Sequence, residues 1–184
     1  MWQDSNKFLI SGNPGVGKTT LLLRLNKYLE KKCLINGFYT EEIRHSGQRT
    51  GFNISTFQGI ELVLASVDLK SQYRVGRYGV SVSNVDEIIN HIKNPAAVPK
   101  LWLIDEIGKM ESFSTIFQSF IEKILGEKIP VIATIAKSAG GWISQIRQHH
   151  DVRLLELTYE NREQFFHDFI HKFFLSQTQD PTKN

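Results

Sequence analysis

One run near the start of the chain, Gly12-Asn13-Pro14-Gly15-Val16-Gly17-Lys18-Thr19, constrains the fold more than any other. It fits G-x-x-x-x-G-K-[ST] and lies between a short apolar run, Lys7 to Ser11, and a segment whose apolar residues recur at helical spacing. Strand, tight glycine turn and helix N-terminus in that order are the setting in which this pattern cradles phosphate. The glycines let successive amides converge on phosphate oxygens, and the helix end adds partial positive charge. Lys18 is expected to neutralise β- and γ-phosphates and Thr19 to offer its hydroxyl to Mg²⁺, with Thr20 next in the nucleotide-binding run. An ordinary glycine turn is the plainer reading, and agreement of the whole pattern with both flanking elements weighs against it.

The rest of the chain reads as alternating strands and helices. A helix is predicted from Lys18 to about Lys32, with Leu21, Leu22, Leu25, Tyr28 and Leu29 on its apolar face. Gly37 to Arg44, Thr50 to Thr56 and Ile60 to Ser66 alternate with period two and are separated by turn residues, which predicts an antiparallel meander. Val67 to Ser83 reads as an exposed loop with a short strand at Tyr78 to Val82, followed by a helix around Asn84 to Ile92 that Pro95 and Pro99 close off. Leu101 to Ile104 and Val131 to Ile135 read as buried strands, Ser114 to Leu125 and Ile143 to His149 as helices, and Val152 to Leu157 as a last strand. A final helix from about Glu160 carries Phe165, Phe166, Phe169, Ile170, Phe173 and Phe174 on one face, the pattern of a helix packed on a sheet. The expected fold is α/β: a mostly parallel sheet with helices on both faces and the antiparallel hairpin meander at one edge.

With 184 residues, the chain has room for about one domain, read as 1–175 with a polar tail at 176–184. A single cysteine, Cys33, excludes an internal disulfide and a cysteine-based zinc site. It reads as a small apolar residue at a helix end. The first residues lack the pattern of a secretory signal and no apolar run approaches the ~20 residues that cross a bilayer, so a cytoplasmic, membrane-free protein is expected. The net charge of +3 is too small to mark a dedicated nucleic-acid binder.

A second chemical signal follows the apolar run Leu101-Trp102-Leu103-Ile104, which delivers Asp105-Glu106 at the edge where doubly wound sheets bind ligands. Asp105 is expected to hold Mg²⁺ and Glu106 to polarise water for attack on the γ-phosphorus. Capping of the next turn is the plainer role for this pair. Lys109 has the spacing to stabilise transition-state charge, and Glu111 shares its loop; Lys109 reads equally well as a solvated lysine. Thr134 ends a strand where a hydroxyl could sense the attacking water, although buried threonines are common in strands. Arg44, Arg49, Arg74 and Arg77 are cations able to approach phosphates, each also readable as surface charge. The adjacent glutamate favours water as acceptor over the second substrate of a small kinase.

Beyond the phosphate loop, four further runs are similar to signature segments of the THEP-type, or cancer-related, nucleoside-triphosphatase family: Gly37-Phe38-Tyr39-Thr40-Glu41-Glu42-Ile43-Arg44, Arg49-Thr50-Gly51-Phe52, Ile104-Asp105-Glu106-Ile107-Gly108-Lys109-Met110-Glu111 and Glu160-Asn161-Arg162-Glu163. They occur in the family's order from residue 8 to about 170. The resemblance implies a RecA-like core and Mg²⁺-dependent hydrolysis of ATP, GTP and other nucleoside triphosphates to diphosphate and phosphate. By position it implies nucleotide contact by Gly12 to Thr19 and by Leu101, Trp102, Leu103, Ile104, Asp105, Glu106, Ile107 and Gly108, with Glu106 as base. It makes Lys109 a stronger candidate, and likewise Glu41, Glu42 and Arg44. Asn161 and Arg162 fall where such proteins contact the base, with helix capping as the plainer role for Asn161. The chain departs from the family pattern in a shortened stretch before Arg74 and in a proline-poor Ala136-Lys137-Ser138-Ala139-Gly140-Gly141.

Two further readings stay open beside the kinase. Lys137, Arg147, His149, His150 and Arg153 suggest a nucleic-acid-associated ATPase module, and slow turnover would suit a nucleotide-gated switch. A monomer is the expected state.

Overall fold

The computed structural model describes residues 5–175, with side chains to Phe173; the predicted tail and the Phe174 side chain lie outside the described residues. In chain order the strands are β1 (Lys7–Ser11), β2 (Ile35–His45), β3 (Gln48–Thr56), β4 (Glu61–Ser66), β5 (Arg74–Val75), β6 (Tyr78–Val80), β7 (Leu101–Ile107), β8 (Val131–Ile135) and β9 (Val152–Glu156). The helices are α1 (Lys18–Leu29), α2 (Val82–Ile92), α3 (Thr115–Gly126), α4 (Trp142–Arg147) and α5 (Arg162–Leu175). All nine strands form one sheet in the order β5-β6-β4-β3-β2-β7-β8-β1-β9.

From β2 to β9 the strands are parallel. β1 and β8 are buried along their whole length, as expected where helices cover both faces. Alternation divides the core in two. Phe8 and Ile10 pack with Leu22 and Leu25 of α1 and Phe169 of α5, whereas Leu9 points to the opposite layer with Ile88 of α2 and Phe117 and Ile121 of α3. Late in the chain, β8 inserts between β1 and β7, so the phosphate loop after β1 and Asp105 on β7 open onto one edge from strands two positions apart.

The meander is antiparallel as expected, yet its first strand belongs equally to the parallel core. Ile35 to Phe38 of β2 pair with Leu101 to Ile104 of β7, and the rest of β2 pairs with β3 alone. The β2–β3 hairpin therefore projects past the C-terminal edge, and burial gives way to exposure along it. The hairpin is braced by charge and rings. Glu42 accepts from Arg44 and Arg49 at 2.9 and 2.7 Å, and the Arg49 guanidinium lies 5.2 Å from the Phe52 ring centre while donating to the Tyr78 hydroxyl at 3.2 Å. Arg77 donates to the Arg49 carbonyl and Arg74 to the Arg77 carbonyl.

Several boundaries move. Val82 begins α2, not the end of β6, because the Ser81 hydroxyl accepts from the Asn84 amide and caps the helix there. Tyr28 turns outward from α1, 41% exposed, with the Lys32 ammonium 3.7 Å from its ring centre. Lys7 is the opposite case, a lysine 2% exposed inside β1. Its ammonium donates to the carbonyls of Ile124, at 2.8 Å, and Ile129, so it satisfies the C-terminal end of α3. Burial lowers its pKa to about 8. No helix among the described residues is long and apolar enough to cross a membrane.

The α5 seam depends on Phe169, which is fully buried with its ring edge-on to Phe8 at 5.4 Å between centres. Phe169→Ala is expected to cost about 3–5 kcal/mol of stability, read from urea unfolding followed by far-UV circular dichroism.

Candidate active site

The phosphate loop is held from beneath. Val16 is 3% exposed and anchors the loop in the α1–α5 core, while Asn13, Pro14 and Gly15 stay exposed above it. The Val16 amide donates to the Asn13 carbonyl at 3.3 Å, and the Lys18 ammonium lies 3.2 Å from the Gly12 carbonyl. Gly17, which caps α1 at φ +100°, occupies a backbone region that side-chain-bearing residues resist.

Across β8, a bulge re-aims the end of β7. Ile104 pairs with Ala133 and Ile107 with Ile135, so Asp105 and Glu106 together face Thr134. Asp105 is 1% exposed; its Oδ1 accepts from the Thr134 hydroxyl, and its Oδ2 has no hydrogen-bond partner among the described residues. Burial pushes the Asp105 pKa up, opposed by the hydroxyls of Thr134 and Thr19, the Lys18 charge and the Thr40 backbone. Glu106 is raised too, first by burial and then by Asp105, with Lys18 pulling the other way. Glu111 is 4% exposed and its pKa is pushed up to about 8, by burial and then by Glu106. Gly108 lies between these glutamates: a Cβ there would sit 2.7 Å from Glu111 Oε2 and 3.1 Å from Glu106 Oε1. Asp105 and Glu106 thus share the Lys18 ammonium, and Glu111 adds a third acid beside Glu106. A buried carboxylate oxygen without a partner, beside a threonine hydroxyl, is a donor set suited to a hard divalent cation.

Beside the loop, a cavity of about 280 Å³ is lined by Gly15, Thr20 and Arg24 on one side and Arg162 and Glu163 on the other. Arg24 and Glu163 close it with paired hydrogen bonds of 2.7 and 2.9 Å. Tyr159, 62% exposed, stands over the rim with its hydroxyl 3.4 Å from the Gly15 carbonyl and the Arg162 guanidinium 5.7 Å from its ring centre. A larger hollow of about 520 Å³, bordered by Asn6, Glu127 and Asp151, opens at the opposite edge of the sheet. Ligands of doubly wound sheets sit beyond the C-terminal strand ends, so the smaller cavity is the relevant one.

The model of a family described as NTPase matches residues 7–170. This chain belongs to that NTPase family. It is 42% identical over 165 residues to the nucleoside-triphosphatase THEP1 of Thermotoga sp. (strain RQ2), covering 89% of this chain and 93% of that protein. The corresponding protein of Aquifex aeolicus is 37% identical over 174 residues, covering 89% and 97%. The crystal structure of THEP1 from Aquifex aeolicus superposes with a TM-score of 0.77 at 36% identity, covering 91% of this chain and 98% of that one. The solution structure of a human cancer-related nucleoside triphosphatase gives 0.72 at 30% identity, covering 96% and 99%.

Within this NTPase, Lys18, Thr19, Asp105, Glu106 and Thr134 lie at one edge. Other predicted residues are placed differently. The side chains of Leu101, Trp102, Leu103, Ile104 and Ile107 are at most 3% exposed and fill the two cores, carrying Asp105 to the strand edge. The Asn161 side-chain amide is committed to the backbone before α5, accepting from the Thr158 amide at 2.8 Å and donating to the Glu156 carbonyl at 2.9 Å, so it braces the turn after β9 instead of capping the first helical amides. Glu42 and Arg44 pair with each other on the hairpin, where Glu41 is exposed. Lys109 is exposed on the loop after β7. The basic residues do not form one patch: Lys137 follows the C-terminal end of β8, whereas His149 and His150 precede β9 at the other edge. Tyr159 and the burial of Glu111 escaped the sequence reading; an aromatic next to Asn161-Arg162 was the available signal for the first.

Because folded Glu111 binds its proton more tightly than an unfolded glutamate, its contribution to stability is complete below about pH 4.5 and is lost as pH rises through about 8. With a divalent-ion chelator present, Glu111→Gln should flatten the decline in denaturation midpoint over that interval and leave the variant the more stable protein at its alkaline end.

Proposed function

We propose that this NTPase hydrolyses nucleoside triphosphates to the diphosphate and phosphate with Mg²⁺ as its metal, acting as a single domain over residues 1–175. The observation that carries this reading is the buried, half-partnered Asp105 carboxylate beside Thr19 and Lys18, at the edge shared by the phosphate loop and Glu106. Loop amides and Lys18 bind the β- and γ-phosphates. Thr19 and Asp105 would hold Mg²⁺, which when bound supplies positive charge to the phosphate oxygens. Glu106 orients a water in line with the γ-phosphorus and takes its proton as the new P–O bond forms and the β,γ-bridging bond breaks; its burial makes it a stronger base than a free glutamate. Lys109, on the loop after β7, would meet charge developing on the transferred phosphoryl group. The nucleoside extends past Thr20 into the cavity, where Arg162 and Tyr159 offer cationic and stacking faces that suit any base. Water as acceptor is supported by Glu106 standing directly after Asp105.

Phosphate release by Glu106→Gln should fall by about 10²–10⁴-fold with nucleotide binding retained, whereas Lys18→Ala should lose both. Unchanged turnover in the Glu106 variant removes it as the base, and transfer of labelled γ-phosphate to an added nucleoside faster than to water replaces hydrolysis by kinase chemistry. Chelation of divalent ions should abolish turnover, and Mg²⁺ should restore it in the same phosphate assay.

A further inference from the structure

Because β8 lies between β1 and β7, the loop leaving it emerges between the phosphate loop and the Asp105–Glu106 bend. Thr134 ties that strand to Asp105, and Arg147 fixes the root of the loop by donating to the Ala136 carbonyl at 2.9 Å. One residue further, the Lys137 ammonium donates to Asn13 Oδ1 at 3.0 Å and to Glu156 Oε1 at 2.7 Å. Asn13 marks the end of the phosphate loop at which Lys18 lies against the Gly12 carbonyl, which is the terminal-phosphate end; the nucleoside cavity is at the Gly15–Thr20 end. Lys137 is held without being enclosed, its side chain 47% exposed and that of Glu156 60% exposed. So exposed a pair is weak, and a γ-phosphate with its greater charge competes well against one carboxylate.

We propose that Lys137 is a second phosphate-binding cation, parked on Glu156 and Asn13, that transfers to the γ-phosphate of a nucleoside triphosphate and so distinguishes triphosphate from diphosphate. Lys18 approaches that phosphate from within the loop and Lys137 from across it. Glu156 acts as a competitor for Lys137, setting how readily the transfer occurs. The inference rests on the placement of the nucleotide in the phosphate loop proposed above.

The test is calorimetric titration of the wild-type chain, Lys137→Ala and Glu156→Gln with ADP and with the β,γ-imido analogue of ATP, both with Mg²⁺. Lys137→Ala should weaken the triphosphate analogue about 10- to 100-fold and change ADP less than about twofold. Glu156→Gln should tighten the analogue by about two- to fivefold, because it removes the competitor. If the pair merely braces the phosphate loop, both variants weaken both nucleotides alike, and the proposal is overturned. It is overturned equally by a Glu156→Gln variant whose affinity for the analogue does not rise. Wild-type protein that binds neither nucleotide brings down the underlying placement, and this inference with it.

Discussion

Burying the Asp105 carboxylate is the costly step around which this molecule is arranged. An unpaired carboxylate in an apolar interior is strongly disfavoured, and here its surroundings return only part of what water supplied: the hydroxyls of Thr134 and Thr19, the Thr40 backbone and a nearby ammonium, with Oδ2 left over. Glu106 and Glu111 add like charge to the same small region, so protonation is favoured at all three acids. A site that would relax on gaining positive charge favours a cation beside these carboxylates.

Topology makes this arrangement possible. Were β7 next to β1, the phosphate loop would crowd the carboxylates directly. The intervening β8 sets a spacing of two strand widths, about 10 Å, and fills it with a strand whose own residue, Thr134, is the hydrogen-bond donor to Asp105. One insertion supplies both the distance and the support, and it also brings the Lys137 loop over the gap.

Features encoded locally were legible in the sequence. The phosphate loop was, since its pattern and both flanks are contiguous, and so was the meander, since period-two alternation and the residues around Ser46-Gly47 specify a tight antiparallel turn. Features that depend on distant packing were not. Nothing near Leu101-Trp102-Leu103-Ile104 says whether an apolar run lines a ligand or fills a core; only the helices on both faces decide it. Glu111 looks like a loop glutamate until the fold encloses it beside Glu106, and Lys137 looks like one of several basic residues until β9 brings Glu156 to it. Tyr28 meets α5 at the Phe166 ring yet stays 41% exposed, a degree of cover that helical spacing alone does not show.

Lys7 gives the first strand a mechanical character. At its start, the ammonium is clamped to the end of α3; along its length, β8 and β9 hold it on both sides; at its finish stands the phosphate loop. Such a strand, about 17 Å long, is a strut fixed at its foot, with little freedom to slide or tilt under load. The phosphate loop is therefore seated on a strand held at its foot and along both sides, so the direction of its amides is set by the body of the sheet.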